Sequence, residues 1–440
     1  MPKKHIDMLW SSGDSAKKSL AWLRKNRGRS SRSRLEKVER YNLRVLRLGS
    51  RAELEGAMEA LGVDPRGREI MGPKGRFFLI QAEGLDPRAA AIVKQEMLAK
   101  GGEAAIPRGV YLGDEEKVKV KVILMGTEAQ FRAVCRTLEE EPFGLRGLGE
   151  ELRLLLARME APPPPIRIGG REFLWGERTY IMGILNATPD SFSGDGLQNE
   201  PDPVAAAVAR ARAMAAAGAD IIDIGAESTR PGSTPVEAEE ELDRLLPVLR
   251  AVAEAVDVPI SVDTYKATVA AAALKNGASC VNDVWGLQRD PEMAKVVAAA
   301  GVPVIVMHNQ VGTEYTGDLM AAILRFFRRS LSLAEAAGVP AERVIVDPGI
   351  GFGKTREQNL EVLRRLPELR SLGRPILLGT SRKSVIGLTL NLPVGERLFG
   401  TAATVALGVA GGADIVRVHD VAEMAQVARM ADAVIRGGPR

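Results

Sequence analysis

Ten polar residues in the second half of this sequence stand at or just after short apolar runs, and their types could do two kinds of chemistry. They are Asn186, Asp223, Asp263, Asn282, Asp283, His308, Asp347, Lys383, Arg417 and His419. Carboxylates and amides such as Asp263, Asn282 and Asp347 suit a flat heterocycle edged with N–H donors and acceptors, because two carboxylates can pair with the N–H groups of an aminopyrimidine. Basic and hydroxyl groups (Thr229, Arg230, Arg417 and His419) suit a phosphate. One or two Asp or Asn residues at strand ends would be ordinary turn and cap residues. The same pattern after eight successive runs is hard to obtain that way, and two of the chain's three histidines occupy such places.

The runs that position these residues are Tyr180–Leu185, Asp220–Ile224, Pro259–Val262, Ser279–Val281, Val302–Val306, Val344–Val346, Pro375–Leu378 and Ile415–Val418. Ala-rich helical segments such as Val204–Ala217, Ala238–Ala255 and Thr401–Gly411 lie between them, the rhythm of parallel βα units. Eight units predict an α/β fold of the (β/α)₈ TIM-barrel type, whose sites are built at the carboxyl ends of the strands. A stretch from Ile166 to Phe173, turning at Gly169–Gly170, reads as a short hairpin capping the barrel bottom.

Length and composition set the frame. A chain of 440 residues is longer than one barrel of roughly 250 residues, so a second unit is expected. No apolar stretch reaches the roughly 18 residues a membrane helix needs, and the amino terminus lacks the apolar run of a secretory signal. Two cysteines, Cys135 and Cys280, allow no disulfide framework or thiolate metal site, which agrees with a cytoplasmic protein. The net charge of +4 is unevenly placed, with Lys and Arg crowded into residues 1–40. That segment reads as a basic, disordered tail rather than a nucleic-acid arm, since it has few aromatics and no recognisable binding module. A nucleic-acid partner is therefore not expected.

Four prolines in Ala161–Pro165 mark a linker, placed at 161–170. Residues 41–160 read as a smaller accessory α/β domain, and 171–440 as the barrel domain. In the accessory segment strands are expected near Arg44–Leu48, at Phe77–Gln81 and at Val118–Leu124, with helices from Arg51, from Pro87 to Ala99 and from Glu128. It contains no His, no phosphate loop and no carboxylate cluster, so no catalysis is expected from it. Dimerisation, covering the barrel or binding a second ligand are the roles left open.

The loops after the strands are recognisable. GILNATPDSFSGDG (Gly183–Gly196) and DIGAESTRPGS (Asp223–Ser233) resemble the two signatures of the dihydropteroate synthases, and SVDT, VNDVWG, DPGIGFGKT, GTSRKS and RVHD follow in that family's order. The resemblance covers roughly residues 166–440 and leaves 1–160 without an assigned function. It implies condensation of 6-hydroxymethyl-7,8-dihydropterin pyrophosphate with 4-aminobenzoate to 7,8-dihydropteroate in folate biosynthesis, a transferase reaction inhibited in the family by sulfonamides. By that resemblance Asp223, Asp263, Asn282, Met307, Asp347 and Lys383 bind the pterin. Asn186 helps hold Mg²⁺ on the pyrophosphate, and Thr229, Arg417 and His419 contact its phosphates. Phe192, Arg230, Pro231, Phe352, Lys383 and Ser384 line the 4-aminobenzoate site. Lys383, Arg230 and Asp190 are the implied catalytic residues, and a homodimer is implied by analogy. Two departures from the family pattern, Asn309 in His308-Asn309-Gln310 and Ala187 in the first loop, bear on loop packing and sulfonamide sensitivity.

Three alternatives remain at this point. GIGFGKT misses the nucleotide-binding pattern because Pro348 stands where its first glycine belongs. A pterin-binding methyltransferase acting on a corrinoid would share the barrel but has no need of ESTRPG or of Lys383. A silent pterin-binding module would keep the fold and bind without turnover.

Overall fold

A computed structural model describes residues 41–112, 119–188, 201–228 and 235–437, and the chain divides into two compact units, Met1–Arg76 and Phe77–Arg440. In the first unit, helices Arg51–Ala60 and Pro65–Gly75 start at N-caps whose side chains accept backbone N–H groups, Ser50 from Glu53 and Asp64 from Gly67. The apolar run expected to be a strand near Arg44–Leu48 is not one. Leu43, Val45 and Leu46 are exposed, and among the described residues no strand pairs with them.

The second unit opens with an antiparallel sheet of β1 (Phe77–Leu85), β2 (Glu103–Ala105) and β3 (Val120–Thr127), in the order β1-β3-β2. Helices Pro87–Ala99, Glu128–Leu138 and Leu145–Glu160 cover one face, burying Val93, Met97, Leu124, Phe131 and Leu152 in a core of their own. Strand β3 alternates buried and exposed residues along its length, as a sheet with one solvated face should. A capping box at Thr127 and Gln130 starts helix Glu128–Leu138. Glu83 of β1 reaches both Lys121 and Arg325, and Arg158 donates to the Ser371 carbonyl, tying this subdomain to the barrel.

After the prolines, β4 (Ile166–Ile168) and β5 (Arg171–Phe173) form the expected hairpin. Eight parallel strands follow: β6 (Tyr180–Asn186), β7 (Ile221–Gly225), β8 (Ile260–Asp263), β9 (Cys280–Asp283), β10 (Val304–Met307), β11 (Val344–Asp347), β12 (Leu377–Leu378) and β13 (Ile415–Val418). Their order is β11-β10-β9-β8-β7-β6-β13-β12, and a parallel bridge between Val346 of β11 and Ile376, just before β12, joins the two ends and closes the ring. The result is the TIM barrel that the eight runs implied.

Strand parity explains what the barrel holds. Side chains alternate in and out along a strand. The inward residues near the bottom are Met182, Ile221, Cys280, Ile305, Ile345, Leu377 and Ile415, and they close on the hairpin's Ile166, Ile168 and Phe173 with Trp175 and Tyr180. The outward residues, among them Ile222, Val262, Val281, Val304, Val344 and Val346, pack under the surrounding helices. Two positions further along, most of the inward places are polar, Ile184, Met307 and Gly379 excepted. No helix among the described residues is long and apolar enough to cross a membrane.

Candidate active site

Six inward positions just above the apolar floor are Asp223, Asp263, Asn282, Met307, Asp347 and Arg417. Each lies two residues beyond an inward floor residue on its own strand, Ser261 taking that place on β8. The period of two therefore delivers all six to the barrel mouth. Arg417 joins them: its Nε donates to Asp223 Oδ2 at 2.6 Å and its Nη2 to Asp263 Oδ2 at 2.8 Å. Asn282 Nδ2 donates to the same Asp223 oxygen at 2.9 Å.

The other oxygens of the two carboxylates are spare. Asp223 Oδ1 and Asp263 Oδ1 are buried without a hydrogen-bond partner, as is Ser261 Oγ beneath them. Such acceptors are costly unless something donates to them, and a heterocycle edged with N–H groups would do so. Burial raises the pKa of Asp263 against the pull of Arg417. Burial also raises that of Asp347, opposed by Lys383 and the Gly349 N–H. These carboxyls can thus meet a ring edge as acceptors or, protonated, as donors.

Lys383 comes from the loop after β12, at the N-cap of helix Ser384–Leu390. Its Nζ donates to the Ile350 carbonyl at 2.6 Å and lies 5.0 Å from the Phe352 ring centre. Gly379 lies beside both groups: a Cβ there would stand 3.6 Å from Lys383 Nζ and 3.9 Å from Asp347 Oδ2. Ser384 is exposed at the start of the helix, next to Lys383. His419 is half-buried past the end of β13, with its backbone N–H and Nδ1 on Ser381 Oγ. Asn186 is half-buried at the top of β6 and pairs in register with Gly225.

The structure therefore brings Asp223, Asp263, Asn282, Met307, Asp347, Lys383 and Arg417 to one end of the barrel, with Phe352 against Lys383. Asp190, Phe192, Thr229, Arg230 and Pro231 lie outside the described residues. Two strand-end residues grouped with the others on the sequence face away. Asp283 accepts the N–H groups of Trp285 and Leu287, and His308 packs edge-on to Phe326, 4.8 Å between ring centres. Both sit at odd steps from the floor, so counting parity along each strand would have separated them. Ser381 was missed, although its place in the SRKS loop, adjoining Lys383, was a usable signal.

Among the described residues no group of three or more His, Cys, Asp or Glu could hold a metal ion. The Asn186 amide offers one hard oxygen. That fits a Mg²⁺ ion carried mainly by water and substrate phosphates, the usual way this ion is bound.

A barrel with a polar, carboxylate-rich mouth over an apolar floor is a small-molecule enzyme scaffold, and comparison gives its class. Residues 182–419, more than half of the chain, match the family described as pterin binding enzymes, and the chain belongs to that family. Within it the barrel falls among the dihydropteroate synthases. It is 53% identical over 272 residues to the dihydropteroate synthase of Clostridium beijerinckii, covering 62% of this chain and all of that one. A solved dihydropteroate synthase from Clostridium difficile, crystallised in the presence of pteroic acid, superposes with a TM-score of 0.58 at 54% identity, over 60% of this chain and 99% of the other. A probable bifunctional folylpolyglutamate synthase/dihydropteroate synthase of Halobacterium salinarum is 42% identical over 389 residues, 87% of this chain and 46% of the relative. That span exceeds the barrel, so the likeness to the archaeal protein takes in much of the chain before it.

Proposed function

We propose that the protein joins 6-hydroxymethyl-7,8-dihydropterin pyrophosphate to 4-aminobenzoate, releasing pyrophosphate and 7,8-dihydropteroate. The observation that carries this reading is the pair of buried, unpartnered carboxylate oxygens of Asp223 and Asp263, beside Asn282 and Asp347, within a family of pterin-binding barrels. The pterin's amino and ring N–H groups would satisfy them, with Met307 against the ring and Lys383 at its edge. Arg417 and His419, together with Thr229, would take the pyrophosphate. When bound, Mg²⁺ would supply charge neutralisation at the leaving group, with Asn186 as its protein ligand.

Guanidinium and imidazole donors stabilise the departing pyrophosphate, so carbon–oxygen cleavage runs ahead of attack. The carboxylates under the ring then favour the cationic pterin methylene. The aryl amine of 4-aminobenzoate closes the carbon–nitrogen bond and loses its proton to solvent or to the released pyrophosphate. Phe352, Lys383 and Ser384, with Phe192, Arg230 and Pro231, would line its site, and Asp190 and Arg230 would close over it. No covalent enzyme intermediate is needed.

The accessory domain at 41–160, the linker at 161–170 and the synthase domain at 171–440 are carried into this reading, as are a basic tail at 1–40 and a cytoplasmic location. A homodimer is proposed through the barrel's last two helices, Leu398–Ala410 and Val421–Arg436. These pack together through Val405, Val409, Met424 and Ala428 while leaving Phe399, Leu407, Met430 and Val434 exposed. Large apolar side chains left exposed on a packed helix pair are what an interface would cover. Incubation with the pterin pyrophosphate and Mg²⁺, with and without 4-aminobenzoate, and identification of the product by mass test the reaction directly.

A further inference from the structure

The glycine-rich segment after β11 is folded around a lysine that the proposed reaction does not use. Lys354 is buried; its Nζ donates to the carbonyls of Gly349 and Phe352, both at 3.0 Å, and lies in hydrogen-bond contact with His308 Nδ1 at 2.9 Å. Burial lowers the pKa of this lysine to about 7, and in its ammonium form its three donors meet these three partners. Donation to Nδ1 also requires a neutral His308 with its proton on Nε2. Burial of that ring, together with the charge of Lys354 when protonated, opposes a second proton.

The loop's own backbone is poorly suited to hold this shape unaided. Gly349, Gly351 and Gly353 all have positive φ, at 67°, 86° and 55°. A Cβ at Gly349 would be driven into the His308 carbonyl, and one at Gly353 into Gln310. The Phe352 N–H to Gly349 carbonyl bond, 3.1 Å, closes a turn whose two carbonyls then both point at Lys354. On its outer side the same turn presents the Ile350 carbonyl and the Phe352 ring to Lys383.

We propose that Lys354 is a positioning residue: from inside the turn it fixes the Ile350 carbonyl and the Phe352 ring, and through them the place of Lys383 between the two substrates. The inference rests on the reaction proposed above for the role of Lys383, though not for the shape of the loop.

The test is a double-mutant cycle in the full chain between Lys354→Met and Lys383→Gln, read as kcat/KM for 4-aminobenzoate. Lys354→Met alone should lose about tenfold or more. The double variant should match Lys383→Gln within about twofold, because a residue acting through another adds nothing once that one is gone. Losses that multiply, or a Lys354→Met enzyme with wild-type kinetics, overturn the proposal. Should Lys354→Met fail to accumulate as folded protein, Lys354→Gln, which retains two donors, carries the same cycle. If the wild-type chain releases no pyrophosphate, the reaction reading fails by itself and hydrogen exchange takes over. Exchange about tenfold faster at Gly349, Gly351 and Phe352 in Lys354→Met supports the strut, and unchanged exchange removes it.

Discussion

Lys383 is asked to do more than any other residue of the site, donating to the Ile350 carbonyl, lying by the Phe352 ring and pulling on the Asp347 carboxyl through its charge. It sits on a loop and is only half-buried, so its loss should damage chemistry rather than folding. Lys383→Ala is expected to lower turnover by about a hundredfold or more, the range seen when a preorganised polar contact is removed, while the melting temperature stays near that of the parent. Steady-state kinetics beside a thermal melt would show it, and near-normal turnover would mean the pocket is assigned to the wrong residues. His308 gives a pH prediction. Burial and the neighbouring Lys354 charge push its pKa down to about 2, whereas in the unfolded chain it titrates near 6.5. Below pH 6.5 the unfolded state therefore takes up a proton that the native state refuses, and stability falls by about 1.4 kcal/mol per pH unit from this group. Urea midpoints measured from pH 7.5 to 5.5 should fall further, or rise less, for the parent than for His308→Gln, since the raised carboxyls of Asp263, Asp283 and Asp414 act the opposite way in both. Parallel slopes would show that His308 is not the group responsible.

At the scale of elements, the floor of the barrel decides how the mouth is presented. Phe173 of the hairpin is fully buried, with ring centres 4.6 Å from Tyr180 and 5.9 Å from Trp175. Phe173→Ala should cost about 3–5 kcal/mol by opening a cavity under the site, visible as a lower urea midpoint. A loss under about 1 kcal/mol would mean the hairpin does not carry the barrel bottom. The eight barrel strands were legible because each is a compact apolar run bounded by turn residues, and the capping hairpin because Gly169–Gly170 marks its turn. What the runs did not reveal was direction: Asp283 and His308 look like their neighbours in sequence, yet lie one step out of phase and face the helices. Before the barrel the signal was weaker. Helix Pro65–Gly75 contains Gly67, Gly72 and Pro73, residues that argue against a helix until the Asp64 cap and Pro65 at its first position are weighed. Strand β2 has three residues, too few to show a period. Helix Leu145–Glu160 begins at a left-handed Gly144 without a side-chain cap, so nothing announced its start. The run near Arg44–Leu48 shows the opposite error, apolar residues with no partner strand to bury them.

For the molecule as a whole, the barrel's exposed apolar helices bear on assembly. Phe399 and Leu407 are 85% and 67% exposed, and both belong to helix Leu398–Ala410, on the proposed dimer face. Phe399→Glu combined with Leu407→Glu should convert a dimer to folded monomers, as read by light scattering after gel filtration. A dimer that persists would move the interface elsewhere. The reaction itself is decided by pyrophosphate release from 6-hydroxymethyl-7,8-dihydropterin pyrophosphate with Mg²⁺, with the product weighed by mass spectrometry. Release that yields 7,8-dihydropteroate only when 4-aminobenzoate is present is the expected result; binding of the pterin without turnover, or methyl transfer from a methylated folate instead, would contradict it.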